Sequence, residues 1–249
     1  MSITKDNYRN FYFGSAAELF VQSEFYTFGF EAYKTQPDTG FDLCVTNNAL
    51  VKFHACERKM FNVQVKARLV NAPETAFLIP AEEFEMLMND KTGVLVCVLG
   101  FPKIAPAWNW FDYSNHREPS LITDNTLDWS GMQYYFAEDT YLAVNEAEDN
   151  YNIVGYEKSY FWLNNAHLAR LLDGGYFTEY EYKGQLYKRI KMLVAKSDEI
   201  SFYIDDTDCA LSIASEIQSL KYLVDEKVAC REDLDRGKLF EMDPFDSSL

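Results

Sequence analysis

The fold is decided at residues 61–67, which read FNVQVKA. Apolar and polar side chains alternate there with a period of two, which predicts a β-strand with one buried face. Gln64 and Lys66 therefore project from the same face of this strand. From the strand alone two interpretations stay open: a solvent-facing sheet surface, or a pair of residues that carries chemistry.

The segments before this strand predict one helix and two short extended pieces. Tyr8 to Phe28 has apolar residues at helical spacing and strong helix formers near its centre. Phe30 to Tyr33 is a short extended piece, and Phe41 to Val45 is a strand in which Asp42 is the one polar residue. We interpret Leu50 to Ala55 as a further strand or as irregular structure.

The segments after this strand predict a helix and a buried strand. Pro80 to Met88 is amphipathic, and Glu82 and Glu83 suit the positive N-terminal end of a helix. Val94 to Leu99 is entirely apolar, which is typical of a strand inside a sheet. The order helix, three strands, helix, strand favours a compact α/β sandwich.

The composition changes after Gly100. Several prolines predict irregular structure between Phe101 and Trp129. Further along we expect strands at Met132 to Phe136 and Tyr141 to Val144, helices at Asn164 to Leu172 and Cys209 to Val224, a hairpin at Tyr176 to Val194 with its turn at Lys183-Gly184, and a charged tail from Asp243. We therefore divide the chain into a core at residues 1–100 and an acidic α+β extension at residues 101–249.

The net charge of −16 is unevenly distributed. Residues 1–80 carry eight basic and eight acidic side chains, whereas the remainder carries 15 basic and 31 acidic ones. Affinity for nucleic acid grows with the number of phosphates that Lys and Arg neutralise. The distribution therefore argues against a free-standing, tight and non-specific DNA binder.

The chain has the features of a cytoplasmic protein without a membrane segment. Residues 1–10 are polar and mixed in charge, unlike a signal peptide. No stretch approaches the roughly 20 apolar residues of a membrane span. The five cysteines form no CxxC pair and have no histidine at zinc-ligand spacing, so we expect neither a structural zinc nor a disulfide.

The polar residues of the two central strands suit phosphodiester cleavage. Such a site needs carboxylates for a divalent cation and a cationic group for the charge that develops on phosphate. Asp42 on one strand and Gln64 with Lys66 on the next meet these needs. The carbonyl of Val65 adds a backbone oxygen as a further metal ligand.

Three short motifs occur in an order that resembles a known family. Residues 14–18 read GSAAE on the first helix, residues 38–43 read DTGFDL, and residues 63–66 read VQVK. Together they resemble the PD-(D/E)XK nuclease superfamily, in its resolvase-like or restriction endonuclease-like branch with a QxK motif. The resemblance covers about Tyr8 to Gly100 and implies a restriction-endonuclease-like αβββαβ core.

The resemblance also implies a role for each site residue. Asp42 would be the central metal ligand, and Glu18 a metal ligand or the holder of a metal-bound water from the helix. Gln64 takes the place of the more usual acidic residue, so the site carries one negative charge fewer. Lys66 would orient the attacking water and stabilise charge on the phosphate.

The implied activity is that of a metal-dependent endonuclease, a hydrolase that cleaves DNA. The implied cofactor is Mg²⁺, with Mn²⁺ as an alternative, and RNA is an alternative substrate. A homodimer or a larger assembly is expected by analogy with folds that pair two sites. The alternative from another class is a catalytically silent, nuclease-like module that binds nucleic acid or protein.

Other residues are weaker candidates. Asp38 is a second candidate carboxylate, although its place in a turn favours a bond to the backbone instead. An aromatic run after Gly100 suits either base stacking or core packing; it comprises Trp108, Trp110, Phe111 and Tyr113. The three histidines are scattered and lack a nucleophile nearby; they are His54, His116 and His167.

Overall fold

A computed structural model describes residues 8–36, 40–54, 57–70, 72–106, 151–194, 199–205, 207, 210–213 and 215–224. The helices are α1 (Tyr8–Thr27), α2 (Asn48–His54), α3 (Ala81–Asn89), α4 (Asn165–Asp173) and α5 (Leu220–Val224), with a 3₁₀ turn at Ser215–Gln218. The strands are β1 (Glu31–Lys34), β2 (Leu43–Thr46), β3 (Met60–Leu69), β4 (Glu74–Pro80), β5 (Gly93–Pro106), β6 (Tyr151–Asn164), β7 (Phe177–Tyr182), β8 (Gln185–Val194), β9 (Ile200–Tyr203) and β10 (Ala210–Ser212). The predicted mixed α/β class is confirmed.

The strands form two sheets. The first has the order β1-β2-β3-β5-β6, in which β1, β2 and β3 form an antiparallel meander. β5 runs parallel to β3, so a crossover through β4 and α3 joins them, and β6 is antiparallel to β5. The second sheet has the order β10-β9-β8-β4, with β7 paired to β8.

Helix α1 covers one face of the first sheet. Its buried side chains recur at every fourth position: Phe13, Ala17, Val21 and Phe25. Gly100 on β5 has no side chain, which lets the Phe13 ring lie directly against the strand. This packing fixes α1 to the face that also carries Val63 and Val65 of β3.

The opposite face of the first sheet is covered by α3 and the second sheet. Phe161 of β6 packs edge-on against Phe77 of β4 at 6.1 Å and Phe202 of β9 at 5.5 Å between ring centroids. Phe84 of α3 packs in the same way against Phe177 of β7 at 4.8 Å. A continuous apolar layer therefore separates the two sheets.

Gln64 lies on this covered face. It pairs with Leu95, which pairs in turn with Leu163, and both of these leucines are completely buried. Side chains at paired positions of neighbouring strands point to the same face. The solvent-facing interpretation is therefore wrong for Gln64, whose exposed fraction is only 6%.

Several predicted elements are confirmed with small shifts of their ends. They are the first helix, the strands at β1, β2, β3 and β5, the helices α3 and α4, and the hairpin of β7 and β8. The hairpin turns at Lys183 and Gly184, whose φ angles are 52° and 77°. Positive φ at both central residues is what a tight two-residue hairpin requires.

Two segments differ because their partners lie far away in the sequence. Residues 48–54 form helix α2, since the Glu31 carboxylate on β1 accepts hydrogen bonds from the N–H groups of Asn48 and Ala49 at 2.8 and 2.7 Å. The helix predicted at Cys209 to Val224 is wrong: Ala210–Ser212 pairs with β9, and a 3₁₀ turn and α5 follow. Strand β4, which the alternation did not reveal, pairs with the distant β8.

The predicted domain boundary at residue 100 falls within β5. Pairing with β6 extends β5 to Pro106, where irregular structure was predicted. Each sheet contains strands from both sides of residue 100. The strands predicted at residues 132–136 and 141–144, and the charged tail, lie outside the described residues. No described helix is long and apolar enough to cross a membrane.

His167 caps helix α4 and makes folding sensitive to pH. Asn164 Oδ1 accepts a bond from the His167 N–H at 2.9 Å, and His167 Nδ1 accepts one from the Asn164 N–H at 3.3 Å. Burial and, to a smaller extent, the charge of Arg170 lower the pKa of His167 to about 4. The unfolded pKa is about 6.5, so stability is complete above that pH and is lost as the pH falls from there towards 4.

We expect the free energy of unfolding to fall by about 2 kcal/mol more between pH 7 and pH 5 in the natural protein than in His167→Gln. Glutamine at this position can close the same capping box without titrating. Urea denaturation at the two pH values measures the difference. An identical pH dependence in both proteins would contradict this role of His167.

Candidate active site

The turn before β2 brings Asp42 alongside Gln64. Leu43 pairs with Val63, so the preceding residue, Asp42, lies opposite Gln64. The Asp42 N–H donates to the Val63 carbonyl at 2.9 Å and extends the pairing by one residue. Gly40 makes the turn with a φ of 91°, and a Cβ there would lie 2.7 Å from the Met86 side chain of α3. Glycine thus permits both the backbone angle and the close approach of α3.

The Asp42 carboxylate is held by two donors from β3. Oδ2 accepts a bond from Gln64 Nε2 at 2.8 Å and from the Val65 N–H at 2.7 Å. Hydrogen bonds to an ionised acceptor are short and strong, so this pair fixes the carboxylate at the edge of β3. The structure therefore brings Asp42, Gln64 and Val65 together at one point.

The amide oxygen of Gln64 is buried and has no hydrogen-bond partner among the described residues. Its amide nitrogen faces Asp42, because the reverse orientation would place two oxygens against each other. A cation between the two side chains would remove that repulsion. Rotation of the amide would then present two side-chain oxygens to the cation.

The Val65 carbonyl is directed to the same edge of β3. The N–H and C=O groups of one strand residue point to the same side of the strand. Since the Val65 N–H reaches Asp42, its carbonyl also points to the β2 side, just beyond the start of that strand. The carbonyl oxygen therefore faces the same side of β3 as the Asp42 carboxylate.

Lys66 lies two residues further along the same face and forms an ion pair with Glu83 of α3. The two side chains are 21% and 29% exposed, so water screens the pair only in part. Lys66 is also next to Cys97, its partner on β5. Burial raises the pKa of the Cys97 thiol, and the Lys66 charge opposes that rise.

Sequence reasoning missed Glu83 as a site residue. A carboxylate in the first turn of a helix is favoured by the positive end of the helix dipole, so the sequence offered no reason to assign Glu83 a further role. The signal that could have identified it is the position of α3, since the crossover between two parallel strands packs on the sheet that contains both. The structure places the Glu83 carboxylate against Lys66.

Glu18 lies apart from these residues. Its carboxylate accepts a bond from Lys34 Nζ at 2.6 Å, on the α1 side of the first sheet. Lys34 pairs with Leu43, which places its side chain on the face opposite Asp42. The structure thus brings the side chains of Asp42, Gln64 and Lys66 to one face, with the Val65 backbone beside them, and pairs Glu18 elsewhere.

None of the weaker candidates in the described residues contributes to the Asp42 site. Asp38, His116 and the aromatic run after Gly100 lie outside the described residues. His54 is exposed at the end of α2. His167 has the capping role given above, so its burial is explained by the fold.

The donor set at Asp42 consists of oxygen atoms. In the described part of the chain, no three or more His, Cys, Asp or Glu side chains are grouped as a metal site. Mg²⁺ typically takes one or two protein carboxylates and keeps several waters, which a carboxylate, an amide and a carbonyl can accommodate. No protein-family model, curated protein or solved structure matches this chain.

We expect Asp42→Ala to lower the free energy of unfolding by about 2–3 kcal/mol, because it leaves two buried donors without an acceptor. Asp42→Asn should cost less, since its side-chain oxygen can still accept from Val65. Urea denaturation of the three proteins provides the comparison. Equal stability of Asp42→Ala and the natural protein would mean that the two bonds do not hold β2 to β3.

Proposed function

We propose that this protein is a divalent-metal-dependent endonuclease that hydrolyses phosphodiester bonds in DNA. One set of contacts carries the proposal: the Asp42 carboxylate, the Gln64 amide and the Val65 backbone meet at one point, and Lys66 lies two residues further along the same face of β3. An oxygen donor set beside a fixed cation is what hydrolysis of a phosphodiester requires.

The topology of the first sheet supports a restriction-endonuclease-like core. Helix α1 is followed by the antiparallel strands β1, β2 and β3, and α3 then leads to β5, which is parallel to β3. Without α2 and β4, this order is αβββαβ. It agrees with the core that the QxK resemblance implies.

The proposed cofactor is Mg²⁺ or Mn²⁺, held by Asp42, Gln64 and Val65. When bound, such a cation polarises the phosphate and lowers the pKa of a coordinated water. The buried, unpartnered oxygen of Gln64 supports this fit, because a buried polar atom without a partner costs free energy that a ligand can recover.

Lys66 acts on the phosphate in this proposal. An ammonium group on a rigid strand can donate to a non-bridging phosphate oxygen and orient a water for in-line attack. Glu83 keeps the Lys66 side chain on the Asp42 face through their ion pair.

A catalytically silent binding module is the second candidate. The pairing of Glu18 with Lys34 favours it, because that contact directs the helix carboxylate away from Asp42. The neutral Gln64 favours it as well. Cleavage and metal binding therefore have to be measured separately.

We expect cleavage of plasmid, junction or single-stranded DNA that requires Mg²⁺ or Mn²⁺ and falls by about 100-fold or more in Asp42→Asn and in Lys66→Met. Lys91→Met is the matched control, because Lys91 is exposed in the turn after α3. Rates from a gel-based assay decide between the outcomes. Undiminished cleavage in both site variants would reject the site, and a complete lack of metal-dependent cleavage would favour the silent module.

Metal binding has its own test in Gln64→Glu. This variant restores an acidic residue next to Asp42, and ligand charge is a main determinant of affinity for hard cations. We expect it to bind Mn²⁺ at least about tenfold more tightly than the natural protein in titration calorimetry, whereas Asp42→Ala should bind it more weakly. Equal affinity in all three proteins would place any bound ion elsewhere.

A further inference from the structure

The outer face of the second sheet, which points away from the first sheet, carries an unusual set of side chains. Tyrosines and cations alternate across β7, β8 and β9 there. The pairing of Tyr180 with Tyr187 and of Lys191 with Tyr203 places them on one face. We name this surface the tyrosine face; it comprises Tyr180, Tyr182, Tyr187, Arg189, Lys191 and Tyr203.

Two of these rings are arranged like stacked bases. Tyr180 and Tyr182 have ring planes only 12° apart and ring centroids 6.5 Å apart. Bases along a nucleic-acid strand follow at about 3.4 Å, so the two rings are separated by about twice that spacing. The gap between them is close to what one base needs, so a base fits between the two rings after a slight opening.

Cations adjoin the rings. The Arg189 guanidinium lies 5.1 Å from the Tyr180 centroid, and Lys191 Nζ lies 5.8 Å from the Tyr203 centroid. Arg189 pairs with Thr178, which precedes Tyr180, so it lies on the side of that ring away from Tyr182. Aromatic rings can stack with bases and cations can bind phosphates, so a surface on which the two alternate suits a nucleic-acid strand.

The hairpin is a positive region in an acidic chain. Residues 177–194 carry four basic and two acidic side chains, whereas the whole protein has a net charge of −16. Asp205 pairs with Lys191 and lies 3.9 Å from Arg189, but its side chain is 43% exposed. Ion pairs this exposed contribute little free energy, so a phosphate can displace Asp205.

We propose that the tyrosine face binds single-stranded nucleic acid, with bases stacked on Tyr180 and Tyr182 and phosphates bound by Arg189 and Lys191. A duplex hides the faces of its bases, whereas a single strand exposes them. The choice of ligand rests on the proposed nuclease function. The surface itself is separate from the Asp42 site, because it lies on the far side of the second sheet.

The test is fluorescence anisotropy with a labelled oligothymidine of about 15 nucleotides, which covers a typical single-strand site. Loss of both rings in the Tyr180→Ala, Tyr182→Ala variant should raise the dissociation constant by at least about tenfold, since stacking of bases on aromatic rings is a main source of affinity for single strands. The corresponding double phenylalanine variant keeps the ring faces and should bind as the natural protein does. Tyr33→Ala, which removes an exposed tyrosine from β1, is the matched control.

Salt dependence tests the phosphate contacts. Arg189→Gln should lower the slope of log affinity against log salt concentration by about 0.7, the value for one single-strand phosphate contact. Binding that is unchanged in the double alanine variant would overturn the inference. Failure of the natural protein to bind the oligonucleotide, or stronger binding to a duplex of the same length, would do so too.

The two proposals fail in different ways. Oligonucleotide binding that depends on the two tyrosines, without any metal-dependent cleavage, would reject the nuclease function and support binding by the tyrosine face. Metal-dependent cleavage together with oligonucleotide binding that is unchanged in the double alanine variant would support the nuclease function and reject the binding role of the tyrosine face.

Discussion

The contact between the Asp42 carboxylate and β3 determines the arrangement of the first sheet around the site. The strand β2 begins only at Leu43, so the Val65 N–H has no backbone partner there and takes Asp42 Oδ2 instead. The same oxygen accepts from Gln64, which keeps that amide on the covered face. One side chain thus completes the pairing of two strands and gathers three oxygen-bearing groups beside β3, just before the start of β2.

Helix α3 and the apolar layer between the two sheets shield the Asp42 contact from water on one side. Helix α3 lies over the turn that precedes Asp42, since Met86 fills the space beside Gly40, and it supplies Glu83 to Lys66. The apolar layer between the sheets excludes water from the interior side. Electrostatic interactions are stronger in such surroundings than in bulk water, so a cation and a phosphate would be held more firmly here than on an open surface. The same covering explains why α1 and its Glu18, on the other face, take no part in the contact.

The sequence predicts those elements whose structure is determined by neighbouring residues, and it does not predict those that depend on distant partners. The alternation of residues 61–67 predicted β3 and the common face of Gln64 and Lys66, but not its burial, because the covering strands begin far away in the sequence. The sequence around Glu83 indicates only the start of a helix. Its pairing with Lys66 depends on where the crossover between β3 and β5 places that helix. Helix α2 depends on Glu31, and β10 depends on β9, so the local pattern at residues 48–54 and 209–224 was misleading.

The most direct test is a crystal structure of the protein with Mn²⁺, in which anomalous scattering locates the ion. The account predicts one ion about 2.1 Å from the Asp42 carboxylate and the Val65 carbonyl, with the Gln64 amide rotated so that its oxygen faces the ion. An ion bound elsewhere, or a Gln64 nitrogen still bonded to Asp42 at saturating Mn²⁺, would contradict it.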